Sequence, residues 1–234
     1  MTKVKLFADG ADLGAMKEMY RNPDIQGFTT NPSLMRKAGV QNYKAFAQEV
    51  LRHIPDRPIS FEVFADEFDE MEKQALAIAS WGPNVNVKIP VTNTKQQFSG
   101  PLIERLAKRG VVLNVTAIMT LDQVKEVGRC LAPDVPAIVS VFAGRIADTG
   151  RDPVPFMAEA VSILRGKPKA ELLWASPREL LNVFQAESVG CHIITATPDL
   201  LKKLNLVGKD LAQYSLETVE SFYQDARAAG YTID

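Results

Sequence analysis

The chain has 234 residues, 46% hydrophobic and 24% charged, a composition suited to a globular protein with a sizeable core. Its formal net charge of -1 removes the electrostatic basis for nucleic acid or an anionic membrane as the main partner. Small anionic substrates stay open, because they need only a local cluster of cations. Two cysteines, Cys130 and Cys191, stand far apart with no CxxC spacing, which argues against a disulfide frame and a structural zinc site. No apolar run approaches the ~20 residues that span a bilayer, and no signal-peptide cleavage pattern follows Met1–Phe7. A cytoplasmic location is therefore expected.

Short β-branched runs alternate with longer helix-patterned segments along the chain. The strand candidates are Val4–Phe7, Gly27–Thr29, Ile59–Phe64, Val85–Ile89, Val111–Val115, Ala137–Phe142, Leu172–Ala175 and His192–Thr195. Most are largely apolar, as parallel strands buried on both faces must be. Between them, Phe68–Trp81 repeats Met71, Ala75, Leu76 and Ala79 along one side of a helix, and Leu121–Leu131 and Pro155–Leu164 read alike. Gly82-Pro83, Gly110 and Gly166-Lys167-Pro168 punctuate the helix ends. This order predicts an α/β protein, a single (β/α)8 TIM barrel over residues 1–234. Residues about 209–230 form an additional C-terminal helix, patterned by Leu211, Leu216, Val219, Phe222 and Tyr223. An open nucleotide-binding sheet would need a glycine-rich first turn, and neither GxGxxG nor GxxxxGK[ST] occurs.

Barrels of this kind carry their active sites at the C-terminal ends of the strands, so the polar residues there are the candidates. In chain order they are Asp9, the run Thr29-Thr30-Asn31-Pro32-Ser33, Glu62, Lys88, Asn114 with Thr116, Ser140 followed by Phe142 and Arg145, and Ser176 with Arg178. Glu62 and Lys88 fall inside apolar strands, where a charge is costly unless paired or used. A lysine in a nearly dry mouth has its ammonium form disfavoured, which favours a nucleophilic amine. Two arginines nearby would suit an anionic end group such as a phosphate. Each residue also has a plain structural reading. Glu62 would be the ion-pair partner of Lys88, Asn31 a helix N-cap, Asp9-Gly10 a turn, Ser176-Pro177 a helix start, and Arg145 and Arg178 surface salt-bridge residues. His53 and His192 read as structural and Cys191 as a small buried apolar residue.

The ordered set resembles the transaldolases. Phe28-Thr29-Thr30-Asn31-Pro32-Ser33-Leu34 is similar to their second-strand motif, and Val87-Lys88-Ile89-Pro90 to their Schiff-base lysine motif on strand four. Gly110–Ala117 and Ser140–Ile146 match the fifth and sixth strand motifs, and Ser176-x-Arg178 fits the phosphate-binding end of strand seven. The likeness covers roughly residues 4–205.

The resemblance implies a class I aldol mechanism with no metal and no cofactor. Lys88 would attack a ketose carbonyl and form an imine. Glu62, through a water held with Thr116, would move the protons of carbinolamine formation and dehydration. Asp9 would deprotonate the C4 hydroxyl. Asn31, Asn114 and Ser140 would hold the remaining dihydroxyacetone unit, and Arg145, Ser176 and Arg178 the acceptor's anionic group. Related fructose-6-phosphate aldolases typically carry Gln in place of Glu62 and Tyr in place of Phe142, so both positions follow the transferase pattern. Gly10 and Pro177 depart from the family and leave room for another anionic ketose, such as a sulfonated sugar. The partners implied are small sugar phosphates or similar anionic sugars, with neither nucleic acid nor membrane. The compact length is nearer the branch in which homo-oligomeric rings are common.

Overall fold

A computed structural model describes residues 2–233. Eight strands, β1 (Lys5–Asp9), β2 (Ile25–Thr29), β3 (Ile59–Glu62), β4 (Val85–Pro90), β5 (Leu113–Ile118), β6 (Ala137–Val141), β7 (Ala170–Trp174) and β8 (Ile193–Ala196), close into a barrel in sequence order. Neighbouring strands run parallel throughout, including the closing pair β1 and β8. Helices lie between successive strands, and the expected (β/α)8 barrel is the fold. The strands are apolar because one face meets the helices and the other fills the barrel; every residue of β6 is buried.

Alternation along β1 sends Phe7 and Asp9 to the same side, one below the other. Phe7 packs with Ile138, Leu173, Ala175 and Ile193. Its ring lies so close to Gly27 that a Cβ on Gly27 would fall 2.4 Å from it, so only glycine fits there. The interior is thus filled beneath the strand ends and polar at them.

Several boundaries move, each for a local reason. The fifth strand, expected over Val111–Val115, begins at Leu113 and runs to Ile118. Gly110 (φ 76°) and Val111, whose N–H bonds to the Leu106 carbonyl, still belong to the turn that leaves the helix Gly100–Lys108. A register shift between Val115 and Ile118, with Ala117 at φ 62°, then keeps the far end paired to β6. β3 stops at Glu62 because the N–H groups of Phe64 and Ala65 turn to the Gln74 side chain. The plain structural reading of Ser176-Pro177 as a helix start does not hold. Ser176 sits at φ 56° in a turn, and the helix begins at Leu181.

The barrel unit runs to Leu201, and a second compact unit begins at Lys202. Within the latter, the helix Leu211–Ala229 is capped by Asp210, which accepts from the Gln213 N–H, and ends at Gly230 in the left-handed region. Leu211, Val219 and Phe222 of this helix are exposed. Among the described residues no helix is long and apolar enough to cross a membrane.

Candidate active site

A cavity of about 560 Å³ opens at the C-terminal ends of the strands. Of the candidates, Asp9, Thr29, Asn31, Ser33, Glu62, Lys88, Thr116, Ser140, Phe142, Arg145, Ser176 and Arg178 line it. Register explains the convergence. Asp9 pairs with Thr29, Glu62 with Lys88, Lys88 with Asn114 and Pro90 with Thr116, so side chains from five strands share adjacent levels.

Lys88 is 6% exposed. Its Nζ donates to the Thr30 carbonyl at 3.0 Å and lies 3.2 Å from Glu62 Oε2. Two acceptors thus grip one amine, and a lone buried cation is avoided. Asp9 accepts from Thr29 Oγ1 at 2.7 Å. Since that uses the Thr29 proton, Thr195 Oγ1, 2.5 Å from Thr29 Oγ1, is the donor of the second bond in a Thr195–Thr29–Asp9 relay. Asp9 keeps some exposure at the mouth, yet protein encloses its carboxyl almost completely. That desolvation raises its pKa above the ordinary 3.8, while the Lys88 charge and the Thr29 hydrogen bond pull it back in part.

Thr116 Oγ1 is buried and has no hydrogen-bond partner, while its residue lines the cavity. Such a hydroxyl calls for a water or a ligand atom. Asn114 stands apart from the other candidates. It is fully buried and not on the cavity wall; its amide donates to Ser60 Oγ at 2.9 Å and accepts from Ser140 Oγ at 2.7 Å. It braces Ser140 from beneath. Asn31 uses its side-chain oxygen to cap the helix Pro32–Lys37, accepting from the Leu34 N–H, so the structural reading of this residue also holds.

At the anion end, Arg145 is exposed and its guanidinium lies 5.3 Å from the centre of the Phe142 ring. Arg178 is not free: it grips both carboxylate oxygens of Asp148, holding that carboxyl below its ordinary range and raising its own pKa. Gly144 packs against the Ser176 turn, where an added Cβ would lie 1.5 Å from the Ser176 carbonyl oxygen. That close approach holds the Gly144 backbone, next in sequence to Arg145, against the Ser176 turn. Sequence reasoning gave Thr29 no role of its own and missed Thr195 and Asp148. The strand-end rule reaches Thr195 once it is applied to the eighth strand, as it was to the other seven.

The family model for Transaldolase/Fructose-6-phosphate aldolase matches residues 6–234. The chain belongs to this family. A "Probable transaldolase" of Dehalococcoides mccartyi is 33% identical over 202 residues, covering 86% of this chain and 90% of its own. A "Probable transaldolase" of Thermoanaerobacter sp. is 32% identical over 231 residues, covering 98% of this chain and all of its own. Among solved structures, dihydrodipicolinate synthase from Rhodopseudomonas palustris superposes with a TM-score of 0.60 at 13% identity, over 97% of this chain and 81% of that one. That last likeness shows the barrel alone. Within the transaldolase/aldolase family, the chain is an enzyme of aldolase or transferase type.

Proposed function

We propose that the chain is a transaldolase. It moves a dihydroxyacetone unit from a ketose phosphate of the fructose 6-phosphate type to an aldose phosphate, through an imine on Lys88. The observation that carries this reading is the setting of Lys88, a buried amine gripped by Glu62 and the Thr30 carbonyl in a cavity it shares with Asp9. The unprotonated amine adds to the ketose carbonyl. The carbinolamine hydroxyl leaves as water, with Glu62 supplying the proton through a water that Thr116 Oγ1 helps to hold. Asp9 then takes the proton of the C4 hydroxyl. The C3–C4 bond breaks, its electrons pass to the iminium, and the aldose departs from a three-carbon enamine. Addition of the enamine to an acceptor aldehyde, followed by hydrolysis of the imine, completes the transfer.

Transfer is favoured over release of free dihydroxyacetone by Phe142, which lines the cavity without a hydroxyl to relay protons or water to the enamine. A second reading keeps the chemistry and changes the anion. Because Asp148 pairs directly with Arg178, Arg145 is left without an ion pair of its own among the described residues and feels Asp148 only through space, which suits a monoanionic group such as a sulfonate as well as a phosphate. Self-association and a cytoplasmic location belong to the same proposal. The exposed apolar residues of the helix Leu211–Ala229 support the first, and two free cysteines the second.

The test is borohydride trapping. After incubation with fructose 6-phosphate, a three-carbon adduct mapped to Lys88 is expected, and adding an acceptor aldehyde before the borohydride should discharge the enamine and prevent it. Steady release of free dihydroxyacetone without acceptor would make the protein a lyase. An adduct only with a sulfonated ketose would change the substrate, and no adduct with any ketose would end the imine reading.

A further inference from the structure

Tyr43 stands on the first turn of the helix Tyr43–His53, outside the cavity wall and outside every motif read from the sequence. Its hydroxyl accepts from the Glu62 N–H at 2.8 Å and donates to the Glu62 carbonyl at 3.0 Å. Burial drives this phenol well above its ordinary pKa, so it keeps the proton it donates. The ring is fixed edge-on against Phe61 and Trp81 and tilted on Phe64.

The place of these two bonds in the sheet gives them meaning. β2 and β3 pair over only two positions, Phe28 with Ile59 and Thr29 with Ser60. The last bond across is from the Thr30 N–H to the Ser60 carbonyl, 3.2 Å. One further step of a parallel ladder would send the Glu62 N–H to the Thr30 carbonyl. That bond is replaced. Tyr43 takes the Glu62 N–H, and the Thr30 carbonyl accepts from Lys88 Nζ.

We propose that Tyr43 is a positioning residue: by standing in for β2 at Glu62, its hydroxyl fixes the Glu62 backbone and releases the Thr30 carbonyl to hold the Lys88 amine. A neutral amine has two hydrogens and one lone pair. With its hydrogens given to Glu62 and Thr30, the lone pair points in one direction, which is the condition for attack on a carbonyl carbon. Were the ladder closed at this level, the Thr30 carbonyl would face an amide in the sheet, and the lysine would lose one of its two guides. The inference rests on the imine chemistry proposed above.

The test is rapid-quench borohydride trapping with fructose 6-phosphate, run beside steady-state kinetics and thermal denaturation. Tyr43→Phe keeps the ring and loses the hydroxyl. It is expected to slow imine formation about tenfold while KM stays within about twofold. A 4-aminophenylalanine at position 43 restores an N–H at the same point and should recover most of the rate. Trp81→Phe trims the same aromatic packing but leaves the hydroxyl bonds in place, and should lower the melting temperature at an unchanged imine rate. Tyr43→Phe with the wild-type imine rate would overturn the proposal. So would equal slowing in Tyr43→Phe and Trp81→Phe, because packing alone would then explain it. Failure of the wild type to trap any adduct is a different result, which removes the imine reading and this inference with it.

Discussion

Arg178 donates from Nε to Asp148 Oδ1 at 2.8 Å and from Nη2 to Asp148 Oδ2, a two-pronged pair that ties strand seven's turn to the end of the helix Ala143–Asp148. Asp148 therefore tunes the charge that an incoming anion meets. Asp148→Asn should release the guanidinium and lower KM for a phosphate-bearing substrate about threefold to tenfold at low salt, with kcat little changed. Steady-state kinetics at two ionic strengths check this. An unchanged KM would mean that Arg178 never meets the substrate.

Asp9 gives a stability prediction of definite sign. Its folded pKa lies above the ordinary 3.8, so the folded state holds its proton more tightly than the unfolded chain. Its contribution to stability is greatest below pH 3.8 and is lost as pH rises through the raised folded value. Asp9→Asn should therefore raise the melting temperature at neutral pH, with the gain fading as pH falls towards 4. The same variant should lose more than about a hundredfold in C3–C4 cleavage. Denaturation scans across pH, beside a cleavage assay, separate the two effects.

Thr116→Val removes a buried hydroxyl that bonds to no protein atom. Stability should change by less than about 0.5 kcal/mol, because no internal hydrogen bond is lost. Imine formation should slow about tenfold or more if the hydroxyl holds the water that serves Glu62. A large loss of stability with full activity would point instead to a structural water.

Gly144→Ala would place a methyl carbon 1.5 Å from the Ser176 carbonyl oxygen. Backbone must move on one side or the other, at about 2 kcal/mol or more. Because this contact anchors the backbone next to Arg145 on the Ser176 turn, KM for the anionic substrate should rise more than kcat falls. Chemical denaturation and kinetics on the same preparation measure both.

The barrel was legible because buried parallel strands are nearly pure in apolar residues, and Glu62 and Lys88 interrupt that purity where a charge needs a reason. Lateral neighbours were less legible. Asn114 was nominated from its place in a strand, but its amide is spent on Ser60 and Ser140, because strands joined through helices do not announce their register. Asp148 lies 30 residues before its arginine, and no spacing rule connects them. Tyr43 was invisible for a further reason: its role depends on the β2–β3 ladder opening one step early, a property of two strands together that neither shows alone.

The ring of Phe7 over Gly27, sealed in by Ile138, Leu173 and Ile193, also governs traffic. A chamber filled at its base opens at the strand ends. Under the proposed transfer, the departing aldose and the arriving acceptor must use the same threshold in turn, and the enamine must outlive the exchange. Double-displacement kinetics, with parallel reciprocal plots, then follow from a covalent enamine held while the two aldoses exchange over the layer that Phe7 fills just beneath the strand ends.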